Sequence, residues 1–536
     1  MTSSVTVFTN GSVLRADGRT GRALAVRAGR VLALDDDALE LEGTVVDLRG
    51  GMLVPAFRDG HVHPLWGGVD LGRLPLDHCL DVDAVVRAVA GYAAAHPELP
   101  WIIGGPYRAN VPPGGRAEAA WLDAAVADRP VVLSANDYHT MWVNSRALQL
   151  AGIDAATPDP PLGVIVRRPD NSPTGTLVEQ GAMSLVERVL PPPSDGQMLN
   201  GLSRGLDHLA RLGIGWVQEA AASPSDGEVY LAAARSGALP IRVNLAWRAE
   251  PSTWSRRLVH FDELRREIAA DPACEGTLTA STMKFFADGV IEQGTGYVLD
   301  PYEDEPHSCG LPNWSPEALR AAVVAADAAG FQIHIHAIGD GGVRMALDAI
   351  AGARAENGSQ DRRAVIAHTQ LVHPADRPRF GQLGVIANFE PLWAQLDEVM
   401  LELTMPRLGP TRSALQYPIA SLAASGAPIS FGSDWPVTDA DPLAGLAVAV
   451  TRRTPRGEPA GGWLPEERVP ILDAVHAYTS GAAYQAFDEP ERGTLAIGAR
   501  ADLTLLDIDI TSVAGKEVAD ATVHGLWLDG EEIWSS

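Results

Sequence analysis

Residues 331–372 read FQIHIHAIGDGGVRMALDAIAGARAENGSQDRRAVIAHTQLV, and this stretch contains a complete strand–helix–strand pattern. Its two ends are short apolar runs of the length typical of buried strands, and an Ala-rich run of helical character lies between them. Two strands joined by a helix run parallel, because the crossover returns the chain to the same edge of the sheet. The stretch therefore predicts a βαβ unit.

The same alternation continues on both sides of this unit. Further strand candidates are MLVPAFRDGHVHP (52–64), IGWVQEA (214–220), PIRVNLAWR (240–248), STMKFFADG (281–289), GVIANFEPL (384–392) and PISFGSDWP (428–436). Together with the first two they make eight, and Ala-rich helical runs separate several of them. Eight such units favour an α/β protein with a (β/α)₈ TIM barrel. A doubly wound parallel sheet is the alternative.

The two ends of the chain have a different pattern. Short alternating runs with turn signals such as Asn10-Gly11 and Asp529-Gly530 predict antiparallel strands at both termini. We expect them to form one small β-sandwich domain from residues 1–54 and 486–536. The barrel would then comprise residues 55–66 and 211–485. Residues 67–210, far longer than one crossover helix requires, predict an inserted subdomain after the first barrel strand that covers the active site.

The composition of the chain argues against several classes of binding partner. The chain has 536 residues and a formal charge of −26, which argues against unaided binding to nucleic acid or to an anionic membrane. No apolar run is long enough to span a bilayer, and no signal peptide is evident at the start. The 3 cysteines form no CxxC pair, so neither a disulfide framework nor a thiolate zinc site is expected. These features predict a cytoplasmic protein with a small-molecule substrate, and leave monomer and homodimer open.

Residues suited to metal binding follow the predicted barrel strands. They are His61 and His63 after the first, His334 and His336 on the fifth, His368 on the sixth and Asp434 on the eighth. Two His residues at i and i+2 of a strand point to the same face and can share one ion. Barrel active sites are built at the carboxyl ends of the strands, so these residues predict a metal site there.

Lys284 is unusual in its setting. Only two of the 42 basic residues are lysines, and Lys284 lies within the apolar segment TASTMKFFADGV, whereas Lys516 lies in a polar stretch. An unpaired buried ammonium is costly. Lys284 therefore either pairs with Asp288 or Glu292, or has a chemical function.

Several motifs together resemble those of a known family. They are LVPAFRDGHVHP (53–64), RPVVLSANDYHTMWVNSRALQLAG (129–152), PTGTLVE (173–179), MKFFADG (283–289), IHAIGDGGV (335–343), AHTQLVHP (367–374) and GTLAIGARADLTLLD (493–507). The chain resembles the amidohydrolase superfamily, in particular amidohydrolase family 3, whose members include metal-dependent hydrolases of the N-substituted formamide deformylase type. The resemblance implies the same barrel, terminal β domain and inserted subdomain.

The resemblance also implies a binuclear centre. It assigns His61, His63 and Asp434 to one divalent ion and His336 and His368 to a second, with Lys284 carboxylated by CO₂ and bridging both. Zinc is the first expectation for such ligands, with iron or manganese as alternatives. His334 would orient ligands or substrate.

The expected reaction is hydrolysis of a carbon–nitrogen bond in an amide, formamide or N-acyl compound. A hydroxide held by the two ions would attack, and Asp434 would pass its proton to the leaving nitrogen. A cyclic amidase or deaminase, a metal-dependent phosphoesterase and a non-catalytic regulatory relative remain as alternatives.

Some residues outside the ligand set are candidate substrate contacts. They are His139, Trp142 and Asn144 in the segment DYHTMWVNS, Glu219 after the second strand and Trp393 after the seventh. Ordinary interior packing is the alternative for each of them.

Overall fold

The computed structural model describes residues 4–536, which contain 23 strands and 17 α-helices. The strands are β1 (Val5–Thr9), β2 (Ser12–Leu14), β3 (Thr20–Gly21), β4 (Leu24–Arg27), β5 (Arg30–Leu34), β6 (Thr44–Asp47), β7 (Met52–Pro55), β8 (Phe57–Val62), β9 (Ile102–Tyr107), β10 (Val131–Ala135), β11 (Thr140–Val143), β12 (Val164–Arg167), β13 (Pro173–Val178), β14 (Ile214–Ala222), β15 (Arg242–Arg248), β16 (Leu278–Phe286), β17 (Gln332–Ala337), β18 (Val365–His368), β19 (Ile386–Phe389), β20 (Ile429–Phe431), β21 (Leu503–Leu506), β22 (Val523–Leu528) and β23 (Glu531–Ser535). The helices are α1 (Asp35–Leu39), α2 (Pro64–Asp70), α3 (Val82–Ala95), α4 (Ala119–Asp123), α5 (Ser145–Ala151), α6 (Glu179–Glu187), α7 (Asp195–Arg211), α8 (Pro224–Arg235), α9 (Trp254–Ala270), α10 (Pro316–Ala328), α11 (Asp340–Asn357), α12 (Arg377–Leu383), α13 (Met405–Ser413), α14 (Ile419–Ala424), α15 (Pro442–Thr451), α16 (Ile471–His476) and α17 (Ala482–Gln485). Within this part of the chain no helix is both long enough and apolar enough to cross a membrane.

Eight strands form one parallel sheet in the order β8, β14, β15, β16, β17, β18, β19, β20. Each strand lies beside its predecessor in this series, and each coincides with one of the eight strand candidates of the sequence. The order never reverses, whereas a doubly wound sheet has a switch point where it does. The prediction of a (β/α)₈ barrel is therefore confirmed.

The barrel closes where its last strand returns to its first. The backbone N–H of Asp434 donates to the carbonyl of His61 at 2.7 Å, and the N–H of His63 donates to the carbonyl of Trp435 at 2.9 Å. The Ser433 hydroxyl also donates to the Asp59 carboxylate at 2.5 Å. These bonds join the last part of β8 and the residue after it to the segment that follows β20, at the carboxyl end of the sheet. They form a seam that joins residues distant in the sequence.

Strands from both termini share one sheet. It has the order β23-β22-β21-β7-β2-β3, and β7 pairs antiparallel with β21 so that Leu53 lies opposite Leu505. A second sheet has the order β5-β4-β1-β6. Side chains from the two sheets pack together, and Phe8 meets Trp527 edge to face at 5.4 Å between ring centroids. The extent of the β-sandwich domain, residues 1–54 and 486–536, stays a prediction.

The segment between β8 and β14 carries a sheet of its own, with the order β12-β13-β11-β10-β9. Its apolar side chains form a core separate from that of the barrel, with Val85, Leu133 and Trp142 among its members. A long insertion can keep its own fold when it buries enough apolar surface to offset the entropy of ordering.

An ion-pair network connects the barrel to the terminal domain. Arg242, the first residue of β15, contacts Asp502 at 3.0 Å and Asp529 at 2.6 Å. Arg492 contacts the same two carboxylates at 2.6 and 3.2 Å. The side chains of Arg242 and Asp502 are only 11% and 8% exposed, so this network is poorly screened by solvent.

Replacing Asp502 by Asn should destabilise the protein by about 3–5 kcal/mol, because removal of one buried partner leaves the two guanidinium groups under-compensated. The measurement is the midpoint of urea unfolding. Asp17→Asn is the control: it breaks an ion pair to Arg15 whose carboxylate is 43% exposed, and it should cost less than about 1 kcal/mol. Equal midpoints for the two variants would contradict the prediction.

Candidate metal centre

The carboxyl ends of the barrel strands bring five titratable side chains together inside the protein. His61 lies on β8, Lys284 on β16, His336 on β17 and His368 on β18, while Asp434 follows β20. All five are buried, from 0% exposed for Lys284 to 6% for Asp434. A buried cluster of this kind is characteristic of a functional site, since burial of polar groups is otherwise unfavourable.

Three of these residues have ligand atoms close enough together to form part of a metal centre. One ligand atom each from His61, His368 and Asp434 lies within 4.8 Å of the other two. Asp434 Oδ1 also lies 3.1 Å from Nε2 of His63 and 3.5 Å from Nε2 of His61. The Asp434 carboxylate thus lies beside both histidines of the HxH pair, which agrees with the prediction that His61 and His63 point to the same face of their strand.

His336 lies beside this group. Its ring centroid is 4.5 Å from that of His368, and its Nε2 lies 3.2 Å from the Gly289 carbonyl. The turn that follows His336 is fixed by Asp288, whose carboxylate accepts the N–H groups of Ile338 and Gly339 at 3.0 and 2.8 Å. The assignment of His336 and His368 to a second ion remains a prediction.

Histidine ligands must be unprotonated to bind a metal. Burial, with the nearby Lys284 charge, lowers the pKa of His61 well below its ordinary value. Burial also lowers the pKa of His336, together with repulsion from His368. At neutral pH both rings therefore have a free lone pair. Nε2 of His334, which lies opposite Lys284 in the sheet, contacts Nδ1 of His61 at 2.9 Å, so the Nε2 atom of His61 is left to face the centre.

Lys284 has no acidic partner. Its Nζ lies 3.2 Å from Nε2 of His61, and within residues 4–536 no carboxylate oxygen comes within 4.0 Å of it. Pairing with Asp288 or Glu292, one of the two readings of the sequence, is therefore wrong. Asp288 is bound to backbone N–H groups, and Glu292 accepts the Thr404 hydroxyl. Burial lowers the pKa of Lys284 to about 7.

Two carboxylates hold the outer nitrogens of the candidate ligands. Glu390 accepts from Nδ1 of His368 at 2.9 Å, and Glu219 from Nδ1 of His63 at 3.2 Å. Such contacts fix the ring orientation of metal-binding histidines. Glu219 is also bound by the Tyr230 hydroxyl at 2.6 Å. It is fully occupied behind His63, which corrects its predicted contact with substrate. Glu390 was not predicted, although it directly follows β19.

Of the predicted substrate contacts, His139 and Trp393 do line the pocket at the centre. Trp393 stacks on His368, with 5.3 Å between ring centroids. Nδ1 of His139 lies 2.8 Å from the Glu179 carboxylate, and its ring is 5.6 Å from that of His336. Although burial opposes it, the Glu179 carboxylate raises the pKa of His139 to about 9. His139 is thus a cation at neutral pH.

Trp142 and Asn144 lie elsewhere, and their predicted substrate contact is corrected. Trp142 is buried among aromatic rings of the inserted segment and donates to the Glu118 carbonyl at 3.0 Å. Asn144 caps α5 by accepting the Ala147 N–H at 3.0 Å, and its amide donates to the carbonyls of Val126 and Arg129. Both side chains stabilise the insertion, which is the alternative that the sequence left open.

A model of the amidohydrolase family matches residues 44–533, which includes the whole barrel and all the candidate ligands. The chain belongs to the amidohydrolase family.

Known proteins resemble the chain over nearly its full length. It is 31% identical to Protein LONG AFTER FAR-RED 3 of Arabidopsis thaliana, over 98% of this chain and 91% of that protein. It is 24% identical to an N-substituted formamide deformylase of Arthrobacter pascens, over 97% of this chain and 96% of the other. A crystal structure of a metal-dependent hydrolase from Pyrococcus horikoshii has the same fold, with a TM-score of 0.74 at 22% identity over 96% of this chain and 99% of that one.

The family and the site together show a metal-dependent hydrolase of the amidohydrolase superfamily. Membership implies a divalent metal ion, and the buried group of His61, His368 and Asp434 provides nitrogen and oxygen ligands that such an ion requires.

Changing Glu390 to Gln should lower the affinity for divalent metal about 10–100-fold, because His368 loses the anion that orients its ring and raises its basicity. Metal titration of apoprotein followed by elemental analysis gives the affinity. Glu179→Gln is the matched control, since Glu179 holds His139, which is outside the predicted ligand set. Similar affinities for the Glu390 variant and the unmodified protein would contradict the assignment.

Proposed function

We propose that the protein hydrolyses the carbon–nitrogen bond of a small amide, formamide or N-acyl amine, with Asp434 as the proton carrier. The arrangement of Asp434 beside the HxH pair, at the wall of the pocket, is the observation that supports this most strongly. The relative named as a formamide deformylase acts on a bond of this class, which agrees with the proposal.

The donor set suits two divalent ions. His61, His63 and Asp434 would hold one, and His336 and His368 the other, with zinc preferred and iron or manganese as alternatives. When bound, divalent ions supply Lewis acidity toward a carbonyl oxygen and activate water at neutral pH. The imidazole rings that are kept neutral by burial are suited to hold them.

Asp434 is placed to move a proton. Burial opposes its ionisation, but without a metal the hydrogen bond from a protonated His63 outweighs this and lowers the pKa of Asp434. A bound divalent ion would supply the positive charge in place of that proton. The carboxylate is therefore ionised at neutral pH and can accept a proton from the attacking water on one oxygen. It can then deliver that proton to the leaving nitrogen, which must depart as a neutral amine. Asp434 is held at a φ of 53°, a conformation that costs energy and is typical of functional positions.

Lys284 is proposed to carry a carbamate. With a pKa near 7, a substantial fraction of its amine is unprotonated at neutral pH. The Nζ lone pair can then attack CO₂, which forms an N–C bond and releases one proton. The product is an anion whose oxygens could serve both ions, in a cluster that otherwise has more basic groups than acidic ones. Arg cannot undergo this reaction, because its guanidinium does not lose a proton in proteins.

Asp434→Asn should retain the fold and at least one metal ion but lose about 10²–10⁴-fold in turnover, the usual contribution of general acid–base catalysis. Steady-state hydrolysis of a panel of N-formyl and N-acetyl amines, with metal content measured on the same samples, tests this. Asp439→Asn changes an exposed carboxylate five residues further along and should remain active. Near-normal turnover of the Asp434 variant would remove it from the proton-carrying role.

Lys284→Ala and Lys284→Arg should both bind metal poorly and lose activity. Formate or acetate added to the Ala variant should restore part of the turnover, because a small carboxylate can fill the vacated space. In the unmodified protein, mass spectrometry of the intact metal-loaded chain should show the added mass of one CO₂ on Lys284. An unmodified lysine beside two fully occupied metal sites would refute the carbamate.

A further inference from the structure

A small pocket extends from the candidate metal centre toward the loops at the carboxyl end of the barrel. Asp434, His139 and His336 form the part nearest the centre, and apolar side chains such as Leu392 and Met400 form much of the remainder. Its volume is about 110 Å³. At roughly 10–15 Å³ for each water-sized group, this accommodates a compound of about ten non-hydrogen atoms.

Three carboxylates line this pocket in addition to Asp434. Asp137 follows β10, Glu292 follows β16 and Asp397 follows β19, so each comes from a different loop. Of the 42 Lys and Arg side chains in the sequence, none is among the lining residues. Within residues 4–536 none of these three carboxylates has an ion-pair partner within 4.0 Å.

Neutral donors supply the contacts that these carboxylates do have. Asp137 accepts the His139 N–H at 2.9 Å and the Gln293 amide at 3.1 Å. Glu292 accepts the Thr404 hydroxyl at 2.6 Å, and Asp397 accepts the Met400 N–H at 2.8 Å. The His139 cation, which also lines the pocket, is already paired with Glu179 at 2.8 Å, so the negative charge of the three carboxylates is solvated in part but not neutralised.

Two further observations indicate that the pocket lacks a hydrogen-bond donor for some of its acceptors. Gln395 lines the pocket and is only 9% exposed. Its Oε1 has no hydrogen-bond partner among residues 4–536, while its Nε2 donates to the Leu392 carbonyl at 2.8 Å. Burial, together with repulsion from Glu292 and Glu398, raises the pKa of Asp397 to about 6. Both an unpaired buried acceptor and an uncompensated buried carboxylate are relieved by a cation that donates hydrogen bonds.

These features exclude some substrate classes of the expected size. A carboxylate or phosphate on the substrate would lie among the like charges of Asp137, Glu292 and Asp397 at low dielectric, where repulsion is strong. An uncharged alkyl group would leave the acceptors unsatisfied. An ammonium group satisfies both the charge and the hydrogen bonding.

Building on the hydrolase activity proposed above, we infer that the substrate is a short amide that carries an ammonium group a few bonds from the scissile bond. The ammonium group binds Asp397, Glu292 and Asp137, while the amide lies against Asp434 and the histidines. The substrate class is thus a mono-acylated diamine or the amide of an amino acid whose amine is free.

Two sets of matched substrates test this on the metal-loaded protein. The first consists of N-acetylputrescine, N-pentylacetamide and N-acetyl-δ-aminovalerate, which differ only in an ammonium, methyl or carboxylate end group. The second places these groups on the acyl side, in γ-aminobutyramide, pentanamide and glutaramate. In at least one set, kcat/KM should be about tenfold or more higher for the ammonium compound than for its methyl analogue, and lowest for the carboxylate. Equal values, or a preference for the carboxylate, would overturn the inference.

Variants of the pocket carboxylates test whether a preference for the ammonium compound arises in this pocket. Asp397→Asn and Glu292→Gln should each reduce the ratio of kcat/KM between the ammonium and methyl compounds by about tenfold or more, in keeping with the loss of a charged hydrogen bond. Glu398→Gln is the matched control, because this neighbour of Asp397 pairs with Arg456 and does not line the pocket. A ratio that responds equally to Glu398→Gln, or not at all to the other two, would refute the assignment.

A binding measurement separates this inference from the proposed reaction. Titration calorimetry should show putrescine binding at least tenfold more tightly than the uncharged 1-pentanol, with the difference lost in Asp397→Asn. Hydrolysis of the methyl compounds without any ammonium preference would leave the proposed function intact and refute the inference. Absence of hydrolysis in both sets, with the putrescine preference retained, would refute the proposed function while supporting the ammonium site. Absence of both would overturn the inference.

Discussion

The seam between the first and last barrel strands determines the geometry of the metal centre. Two backbone hydrogen bonds, from Asp434 to His61 and from His63 to Trp435, hold the HxH pair next to the final aspartate. Ser433 strengthens this junction through its hydroxyl and N–H contacts to Asp59, at 2.5 and 3.1 Å. Because the ligands lie in the hydrogen-bonded backbone itself, any opening of the seam would separate them. The positive φ of Asp434 is tolerated because these bonds over-determine its position.

The same seam encloses side chains that are costly to bury without a metal. His61, His334 and His336 are kept neutral by burial, and Lys284 has no acidic neighbour within contact distance. Such a group of donors contributes little to stability by itself, since each ring nitrogen has given up hydration. A divalent cation with an anionic bridge would convert these unsatisfied donors into ligands. The barrel thus resembles a preformed receptor whose folding free energy is coupled to metal binding.

The parts of the molecule that the sequence predicted well are those with short-range signals. Barrel strands are recognisable as apolar runs, and the carboxyl ends of parallel strands lie at the same face of a barrel. His61, His336 and Asp434 could therefore be placed together from the sequence alone. Trp142 and Asn144 were misjudged because they are close to His139 in sequence, whereas Trp142 packs from β11 into the insertion and Asn144 caps α5. Glu390 and the pocket carboxylates come from different loops. No local pattern reports which loops converge, because that depends on how the insertion packs against the barrel.

The candidate metal ligands and several other polar residues of the pocket lie on different parts of the chain. The metal ligands lie on the strands or next to them, where the barrel fixes their positions. His139 and Asp137 come from the insertion, and Glu179, at the start of α6, holds His139 while its own N–H donates to the His139 carbonyl at 2.7 Å. Glu179 has a φ of 65°, so the backbone bears strain in order to direct its carboxylate. Substitutions in the insertion can therefore alter the charge and shape of the pocket without moving a candidate metal ligand.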